Sequence, residues 1–249
     1  MSKKFSYKSR RTLVGLIAFL LVGAWVLINP ESYEQVFVQT ESSLDTDAIA
    51  VTEADETSPL ATTVLAQLEI KGRAPKTGYS REEFYSDWPT VDGCSLRQRI
   101  IYREFGDTAT LDPDDKCNVI SGEYDEPYTG EHKVFTEKSQ ISKGVQIDHI
   151  VALSDAWQKG AQYLSAETRY NIATDPLNLI AADASANMTK SDGDAATWLP
   201  SNKKFRCQYV ARQVSVKYKY DLWVTQAEHD AIAGVLENCP NEPAVGVSL

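Results

Sequence analysis

Apolar and polar positions follow short, regular periods from Tyr79 onward. Apolar residues at helical spacing predict helices over 95–104, 154–171, 185–191, 203–218 and from Thr225 toward the C-terminus. Short apolar stretches bounded by turn residues predict strands over 145–148 and 177–182, and the stretch 107–130, dense in Asp, Pro and Gly, is predicted as loop. Many helices with a few short strands indicate an α+β domain, which we place at residues 77–249.

A different pattern occupies the N-terminus. Basic residues at positions 3, 4, 8, 10 and 11 precede an uncharged, mostly apolar run over 12–30. Such a run can cross a hydrocarbon core of ~30 Å, and basic flanks stay in the cytoplasm, so we expect 12–30 to be a transmembrane signal anchor. Residues 1–11 are then a cytoplasmic basic segment of a single-pass protein in the cell membrane, with the domain outside the cytoplasm. A cleaved signal peptide, which would give a secreted protein, has the same polarity and is the alternative.

An acidic stretch separates the apolar run from the domain. No Lys or Arg occurs from Leu13 to Ile70, whereas Asp and Glu are frequent there. The stretch is also poor in aromatic residues, so it buries too little apolar surface to offset the entropy of ordering it. We expect residues 31–76 to be a flexible acidic linker, with one short helix within 62–70.

The cysteines indicate an oxidising compartment. Cys94, Cys117, Cys207 and Cys239 are even in number, widely spaced and without a C-x-x-C pair, a usage typical of disulfides in extracytoplasmic proteins. Among the alternative pairings we favour Cys94 with Cys117 and Cys207 with Cys239, because each closes a local loop. Free buried thiols are the alternative.

One histidine has a neighbourhood suited to catalysis. His132 follows a glycine turn between charged residues, and His229 lies between acidic residues in a predicted surface helix, so we expect both to be solvated. His149 follows Asp148 at the end of a predicted strand and precedes the apolar run 150–153. A hydrogen-bonded structural histidine would explain an Asp-His pair equally well, so the pair alone decides nothing.

Residues further along the chain narrow the choice. Asn178 lies in the second predicted strand, and Asn187 and Lys190 lie about one turn apart on the predicted helix that follows. Strand, loop, strand and helix in this order can bring Asp148 and Asn187 to a single point.

This arrangement resembles the ββα-metal motif of the HNH endonucleases, which has a histidine at the end of the first strand, a central asparagine and a metal-binding His or Asn on the helix. More closely, residues 80–238 are similar to secreted proteins that resemble the C-terminal nuclease domain of GmrSD-type restriction enzymes. The similarity runs through segments that include Asp92-Gly-Cys-Ser-Leu-Arg97, Pro127-Tyr-Thr-Gly130, Ile147-Asp-His-Ile-Val-Ala-Leu153, Asp175-Pro-Leu-Asn-Leu179, Asn187-Met-Thr-Lys190 and Trp198-Leu-Pro200.

The resemblance implies a role for each candidate residue. Asp148 and Asn187 would be the metal ligands, and His149 would be the general base. Asn178 would order the loop and hold the histidine backbone in place. Carboxylate and amide oxygens favour Mg²⁺, with Mn²⁺ or Ca²⁺ as alternatives, over Zn²⁺. We expect Lys190 or Arg169 to contact phosphate.

The implied domain is a small ββα-metal (HNH) centre wrapped by helices. Its implied activity is metal-dependent hydrolysis of phosphodiester bonds in DNA, with RNA left open. Little sequence preference is expected, because no module that reads bases accompanies the catalytic residues. If the pKa of His149 is unperturbed, turnover should fall as the pH drops through ~6.5.

The overall charge limits the other functions. A net charge of −10 argues against a protein that coats nucleic acid by bulk electrostatics, because such binders are usually basic. An enzyme with local, transient phosphate contacts is compatible with it. The alternative function is a catalytically inactive surface module that binds nucleic acid or a cell-wall polymer. No obligate protein partner is evident from the sequence.

Overall fold

The computed structural model describes residues 58–247, which form a mixed α/β domain of helices and small antiparallel sheets. The helices are α1 (Ala61–Leu65), α2 (Leu96–Phe105), α3 (Lys138–Gly144), α4 (Leu153–Gln158), α5 (Ala166–Thr174), α6 (Ala184–Lys190), α7 (Arg206–Lys219) and α8 (Gln226–Leu236). The strands are β1 (Thr90–Val91), β2 (Cys94–Ser95), β3 (Thr110–Leu111), β4 (Val119–Asp125), β5 (His132–Phe135), β6 (Val145–His149) and β7 (Leu179–Asp183).

The candidate residues are carried by the strands β6 and β7, which form a two-stranded antiparallel sheet. Asp148 pairs with Ile180 and His149 pairs with Leu179, so the Asp-His pair lies at the end of β6 beside the start of β7. The helix α6 follows β7 directly and packs on both strands. The structure therefore has the order strand, strand, helix that the sequence predicts.

The strand β7 is buried on both faces. Its first four side chains, Leu179 to Ala182, are at most 2 % exposed. Successive side chains of a strand point to opposite faces, so two of them pack with α2 and the other two pack with α1, α7 and α8. Because both faces of β7 are buried, its sequence is an unbroken apolar run. Helices packed on each face hold the strand pair in place.

The ordered domain begins before residue 77. The helix α1 buries Val64 and Leu65 against α7 and α8, and Ile70 forms a β-bridge with Val224. The predicted linker 31–76 therefore overlaps the described domain from residue 58 onward. These residues have few apolar side chains, but the C-terminal helices supply the surface on which they are buried.

Within residues 58–247, no helix is long and apolar enough to cross a membrane. The predicted cytoplasmic segment 1–11, the signal anchor 12–30 and the first part of the linker, 31–57, lie outside the described residues. They stay predictions.

The predicted loop over 107–130 contains the strands β3 and β4. The strand β4 pairs with β3 and β5, and Tyr124 stacks on Phe105 of α2 with ring centroids 4.9 Å apart. Turns remain between β3 and β4, where the Asp112 side chain accepts a hydrogen bond from the backbone of Asp114, and after β4 over residues 127–130. Burial of the aromatic side chain thus outweighs the local turn preference.

The helix predicted over 154–171 is two helices, α4 and α5. Gly160 has a φ of 126°, which ends α4, and Ser165 caps α5 by accepting a hydrogen bond from the backbone of Thr168. A side chain at Gly160 would also contact Trp223, because a Cβ there would lie 3.2 Å from that ring. The apolar spacing across the break was nevertheless informative, since Trp157 and Ala161 share one core cluster.

Of two capping-box patterns in the sequence, one forms. At α8, the Thr225 hydroxyl accepts from the backbone of Glu228, and the Glu228 carboxylate accepts from the backbone of Thr225. The pattern Ser80–Glu83 instead produces a 3₁₀ turn over Arg81–Glu83 without a side-chain cap. Glu83 pairs with Arg169 at 3.1 Å instead.

Both disulfides form in the favoured pairing. Cys94 is bonded to Cys117 and Cys207 to Cys239, with Cα atoms 5.2 and 6.3 Å apart. The first bond ties β2 to the turn before β4, and the second ties α7 to the segment after α8. No free cysteine is present in the described part of the chain. The prediction of two disulfides is confirmed.

A buried ion network joins the helices behind the sheet. The ammonium of Lys159, which is fully buried, lies 2.8 Å from Asp155, 2.7 Å from Asp194 and 2.5 Å from Glu228. Burial by itself raises the pKa of Asp194, but Lys159 and Arg73 lower it to about 2. Asp194 therefore stays charged, and Lys159 is the shared ion-pair partner of the three carboxylates.

Two further cations balance the network. Lys217 lies 2.9 Å from Glu228 and 3.2 Å from Asp155, and Arg73 lies 2.6 Å from Asp194. Three cations and three carboxylates thus compensate one another, and all of them except Arg73 are buried. A buried charge that loses its partner costs far more than an exposed one, so this network constrains how α4, α7 and α8 pack.

We expect Lys159→Met to lower the free energy of unfolding by about 3–5 kcal/mol, because it leaves buried carboxylates without their shared counter-ion. Urea unfolding at neutral pH, followed by circular dichroism, measures this loss.

Lys71→Met is the matched control. Lys71 pairs with Glu69 at 2.6 Å, but both side chains are about half exposed, so we expect a loss below about 1 kcal/mol. Equal losses in the two variants would show that burial of the network does not matter.

Candidate active site

A cleft of about 490 Å³ opens over the end of β6. It is lined by residues of β6, of the end of α6, of the start of α4 and of the segment before β1: Lys76, Tyr79, Arg81, Gln146, Ile147, Asp148, His149, Ala152, Leu153, Ser154, Asn187, Met188, Ser191 and Asp192. The predicted base and both predicted metal ligands therefore lie on one cleft.

The imidazole of His149 is fixed in one tautomer. Its Nε2 lies 2.9 Å from the carbonyl oxygen of Ala173. A carbonyl oxygen only accepts, so Nε2 carries the ring proton and Nδ1 keeps its lone pair. The ring plane is nearly parallel to that of Trp88, at 8° with centroids 6.1 Å apart. These contacts hold the ring in place.

His149 is neutral at physiological pH. The residue is 4 % exposed. Burial is the main cause that lowers its pKa from 6.5 to about 4, and the positive charges of Arg81 and Lys190 act in the same direction, whereas the Ala173 carbonyl and Asp148 oppose the shift. The imidazole is therefore available as a proton acceptor.

The carboxylate of Asp148 is held at one oxygen. Oδ2 accepts hydrogen bonds from the Tyr128 hydroxyl at 2.5 Å and from the Lys190 ammonium at 2.9 Å. Burial, and then the neighbouring carboxylate, raise the pKa of Tyr128 well above its ordinary value, so the hydroxyl keeps its proton. Within residues 58–247, no group donates a hydrogen bond to Oδ1. We call this arrangement the Asp148 clamp.

Asn187 lines the same cleft. Its Nδ2 donates to the side-chain oxygen of Gln146 at 2.8 Å, which fixes the orientation of the amide. The amide oxygen and Oδ1 of Asp148 are thus both without a donor among the described residues. Two hard oxygen donors on one cleft, with room for water, fit Mg²⁺ or Mn²⁺.

Asn178 holds the loop that follows His149. Its Oδ1 accepts from the backbone of Val151 at 2.8 Å, and its Nδ2 donates to the carbonyl oxygens of Ile172 and Val151. Its own carbonyl accepts from the backbone of Ile150. The side chain is completely buried and is hydrogen-bonded to Val151 and Ile172, neither of which lines the cleft, an arrangement suited to ordering the loop.

Two arginines hold the turn that contains Asn178. Arg212 of α7 donates to the carbonyl oxygens of Leu177 and Leu179, and Arg103 of α2 donates to those of Pro176 and Leu179. The start of β7 is therefore fixed from two helices, which positions Asn178.

Lys190 lies inside the protein. Its side chain is completely buried, and its ammonium is bonded to Asp148 and, at 2.8 Å, to the carbonyl oxygen of His149. Phosphate contact by Lys190 stays a prediction, and the bonds that the structure shows for it are made within the protein. Lys190 compensates the charge of Asp148 and ties α6 to the end of β6.

Arg169 also lies away from the cleft. Its three nitrogens donate to the carbonyl oxygens of Glu83 and Leu164 and to the Glu83 carboxylate, at 2.7–3.1 Å. Its guanidinium lies over the ring of Trp157. Phosphate contact by Arg169 stays a prediction as well; in the structure two of its nitrogens join α5 to Glu83, and the third donates to Leu164 just before α5.

Sequence reasoning did not assign Tyr128 and Arg81. Tyr128 stands in the segment Pro127-Tyr-Thr-Gly130, but its contact with Asp148 spans 20 positions of the chain and leaves no local signal. Arg81 lies in the 3₁₀ turn Arg81–Glu83, well before β6 in the chain. Its position on the cleft depends on the packing of the segment 79–85 against His149.

The other cysteine and histidine side chains do not form a metal site. Cys207, Cys239 and Glu242 cluster, but both sulfurs are used in a disulfide. His132 is exposed and pairs with Asp125 across β4 and β5. Among the described residues, the cleft is therefore the place where hard oxygen donors and a neutral histidine meet.

Comparison with known proteins agrees with the resemblance. The family described as GmrSD restriction endonucleases, C-terminal domain, matches residues 96–235. A protein of Arthroderma benhamiae described as an uncharacterized secreted protein is 34% identical over 182 residues, which cover 72% of this chain and 84% of the relative. No solved structure matches the chain.

The matched region contains β6, β7 and α6 in full, and with them Asp148, His149, Asn178 and Asn187. It extends over more than half of the chain. The chain therefore belongs to the family of GmrSD restriction endonuclease C-terminal domains.

Proposed function

We propose that the protein is a metal-dependent endonuclease of the HNH type, which hydrolyses phosphodiester bonds of DNA with little sequence preference outside the cytoplasm. The observation that carries the proposal is the cleft, on which a neutral His149 adjoins two oxygen donors, Asp148 and Asn187. Membership of a restriction-endonuclease family supports the same reaction class.

His149 acts as the general base. Its Nε2–H is held by Ala173, so Nδ1 accepts a proton from the water that attacks the phosphorus. The phosphate–oxygen bond to the leaving nucleotide then breaks, and that oxygen takes up a proton from solvent. The ring needs no prior deprotonation, because burial keeps it neutral.

Asp148 and Asn187 would hold the divalent cation, with Mg²⁺ favoured and Mn²⁺ or Ca²⁺ as alternatives. When bound, the cation supplies Lewis-acid stabilisation of the charge that develops on the phosphate oxygens. Tyr128 and Lys190 hold Oδ2 of the carboxylate, which leaves Oδ1 as the oxygen that would bind the cation.

The two disulfides and the secreted relative support a location outside the cytoplasm. Anchoring by residues 12–30 stays a prediction, with release after signal cleavage as its alternative.

We expect the full-length chain to degrade plasmid DNA in Mg²⁺ or Mn²⁺ and to be inactive in EDTA. His149→Ala should lower kcat/KM by about 10²–10⁴-fold, because the proton acceptor is lost. Agarose-gel and fluorescent-substrate assays measure both.

His229→Ala is the control, since His229 lies on α8 outside the cleft. Activity of His149→Ala at the level of the parent would remove the assigned base. If the parent binds DNA but cleaves none in any metal, the protein is a binding module instead.

The pH dependence follows from the lowered pKa of His149, which replaces the value of ~6.5 expected for an unperturbed imidazole. The base is deprotonated above its pKa of about 4. We therefore expect kcat/KM to stay constant as the pH is lowered from 6.5 toward 5 and to decrease only near pH 4. Rate measurements at saturating metal test this. A midpoint near 6.5 would contradict the burial of the ring.

Tyr128→Phe tests the Asp148 clamp. Loss of one hydrogen bond to Oδ2 leaves the carboxylate free to turn, so we expect Mn²⁺ to bind about 10–100-fold more weakly. Electron paramagnetic resonance of free Mn²⁺ measures this without turnover. Tyr163→Phe is the control, since Tyr163 is 70 % exposed and outside the cleft. Unchanged Mn²⁺ affinity in Tyr128→Phe would exclude this role.

A further inference from the structure

The cations of the cleft differ in how they are compensated. Lys76 pairs with Asp192 at 3.0 Å, and the ammonium of Lys190 is buried against Asp148. Arg81 also lines the cleft, is exposed, and forms no ion pair with a carboxylate within residues 58–247. A substrate phosphate would therefore find one cation in this cleft whose charge is not already neutralised.

The guanidinium of Arg81 is held close to the base. It donates to the hydroxyl of Tyr85, and its central carbon lies 4.9 Å from the centre of the Tyr85 ring. That ring is in turn 6.1 Å from the ring of His149, centroid to centroid. Tyr85 is only 6 % exposed, so it is a rigid support. Arg81 is thereby placed beside the imidazole.

The hydrogen bond to Tyr85 leaves most of the guanidinium free. Arginine has five N–H donors in a planar fork, and the structure uses one nitrogen of Arg81 in this bond. The remaining donors match two oxygens of a phosphate, which a single ammonium does less well. The cleft otherwise presents the carboxylates of Asp148 and Asp192, which repel a phosphate.

We propose that Arg81 is a catalytic residue that binds the non-bridging oxygens of the phosphate attacked at His149. The proposal rests on the proposed nuclease function. Arg81 takes the role that the sequence analysis gave to Lys190 or Arg169, whose hydrogen bonds are made inside the protein. Arg81 lies outside the matched residues 96–235, so this contact comes from the segment that precedes the family region.

The kinetic test compares Arg81→Gln, Arg81→Lys and Lys203→Gln in the full-length chain with Mn²⁺ and plasmid DNA. We expect Arg81→Gln to lower kcat/KM about 10²-fold, as loss of a donor to the developing charge does elsewhere. Arg81→Lys keeps the charge without the fork and should be intermediate. Lys203→Gln removes the same charge from an exposed position outside the cleft and should stay within about twofold.

A binding test separates this proposal from the nuclease proposal. The two proteins compared are His149→Ala and the double variant His149→Ala with Arg81→Gln, both in EDTA. Fluorescence anisotropy measures their affinity for a labelled DNA duplex over a range of salt concentrations. Loss of one phosphate contact should reduce the slope of log K against log salt by about 1. The melting temperature should be unchanged, which a structural role of Arg81 would not allow.

Each combination of results distinguishes the Arg81 proposal from the nuclease proposal. If the parent cleaves DNA and Arg81→Gln cleaves and binds as the parent does, the Arg81 proposal is overturned and the nuclease proposal stands. If the parent binds DNA without cleaving it, an altered salt slope in Arg81→Gln supports the phosphate contact but not a catalytic role, and the catalytic assignment is overturned. If the parent neither binds nor cleaves DNA, both proposals fall.

Discussion

Compensation of the Asp148 carboxylate is the constraint on which the site depends. Asp148 ends a strand whose partner is buried on both faces, and the residue itself is 7 % exposed. A charge in such a place needs a counter-ion and hydrogen-bond donors. Lys190 of α6 and Tyr128 of the turn after β4 supply them at the same oxygen. Strand, helix and turn are thereby joined at one point, while the second oxygen accepts no hydrogen bond from residues 58–247.

The same requirement organises the region behind the cleft. Lys159 and Lys217 compensate carboxylates from α4, α8 and the segment after α6, where water is excluded. Arg103 and Arg212 satisfy the carbonyl oxygens of the turn before β7. Buried cations of the domain core are thus paired with carboxylates or carbonyl oxygens. Arg81 is left as the uncompensated cation of the cleft among the described residues, which gives an acidic protein a local contact for phosphate.

Local sequence predicted most elements of the domain and its central residues. The strands β6 and β7, the helices α2, α6, α7 and α8 and the disulfide pairing follow from spacing and turn chemistry. Predictions failed where packing over long sequence distances decides. The strand β4 forms because Tyr124 stacks on α2, and residues 58–76 are ordered because α7 and α8 cover them. Neither partner is near in sequence.

The sequence by itself predicted a strand, strand, helix unit that carries Asp148, His149, Asn178 and Asn187, and its resemblance to the HNH endonucleases implied a role for each. Only the tertiary structure decided the state of each group. Burial makes His149 neutral, and Tyr128 and Lys190 fix one oxygen of Asp148. It also decided which cations face the cleft. The sequence does not distinguish a lysine or arginine that compensates a buried charge from one that faces solvent. Charge compensation depends on distances in space, and sequence spacing does not contain them.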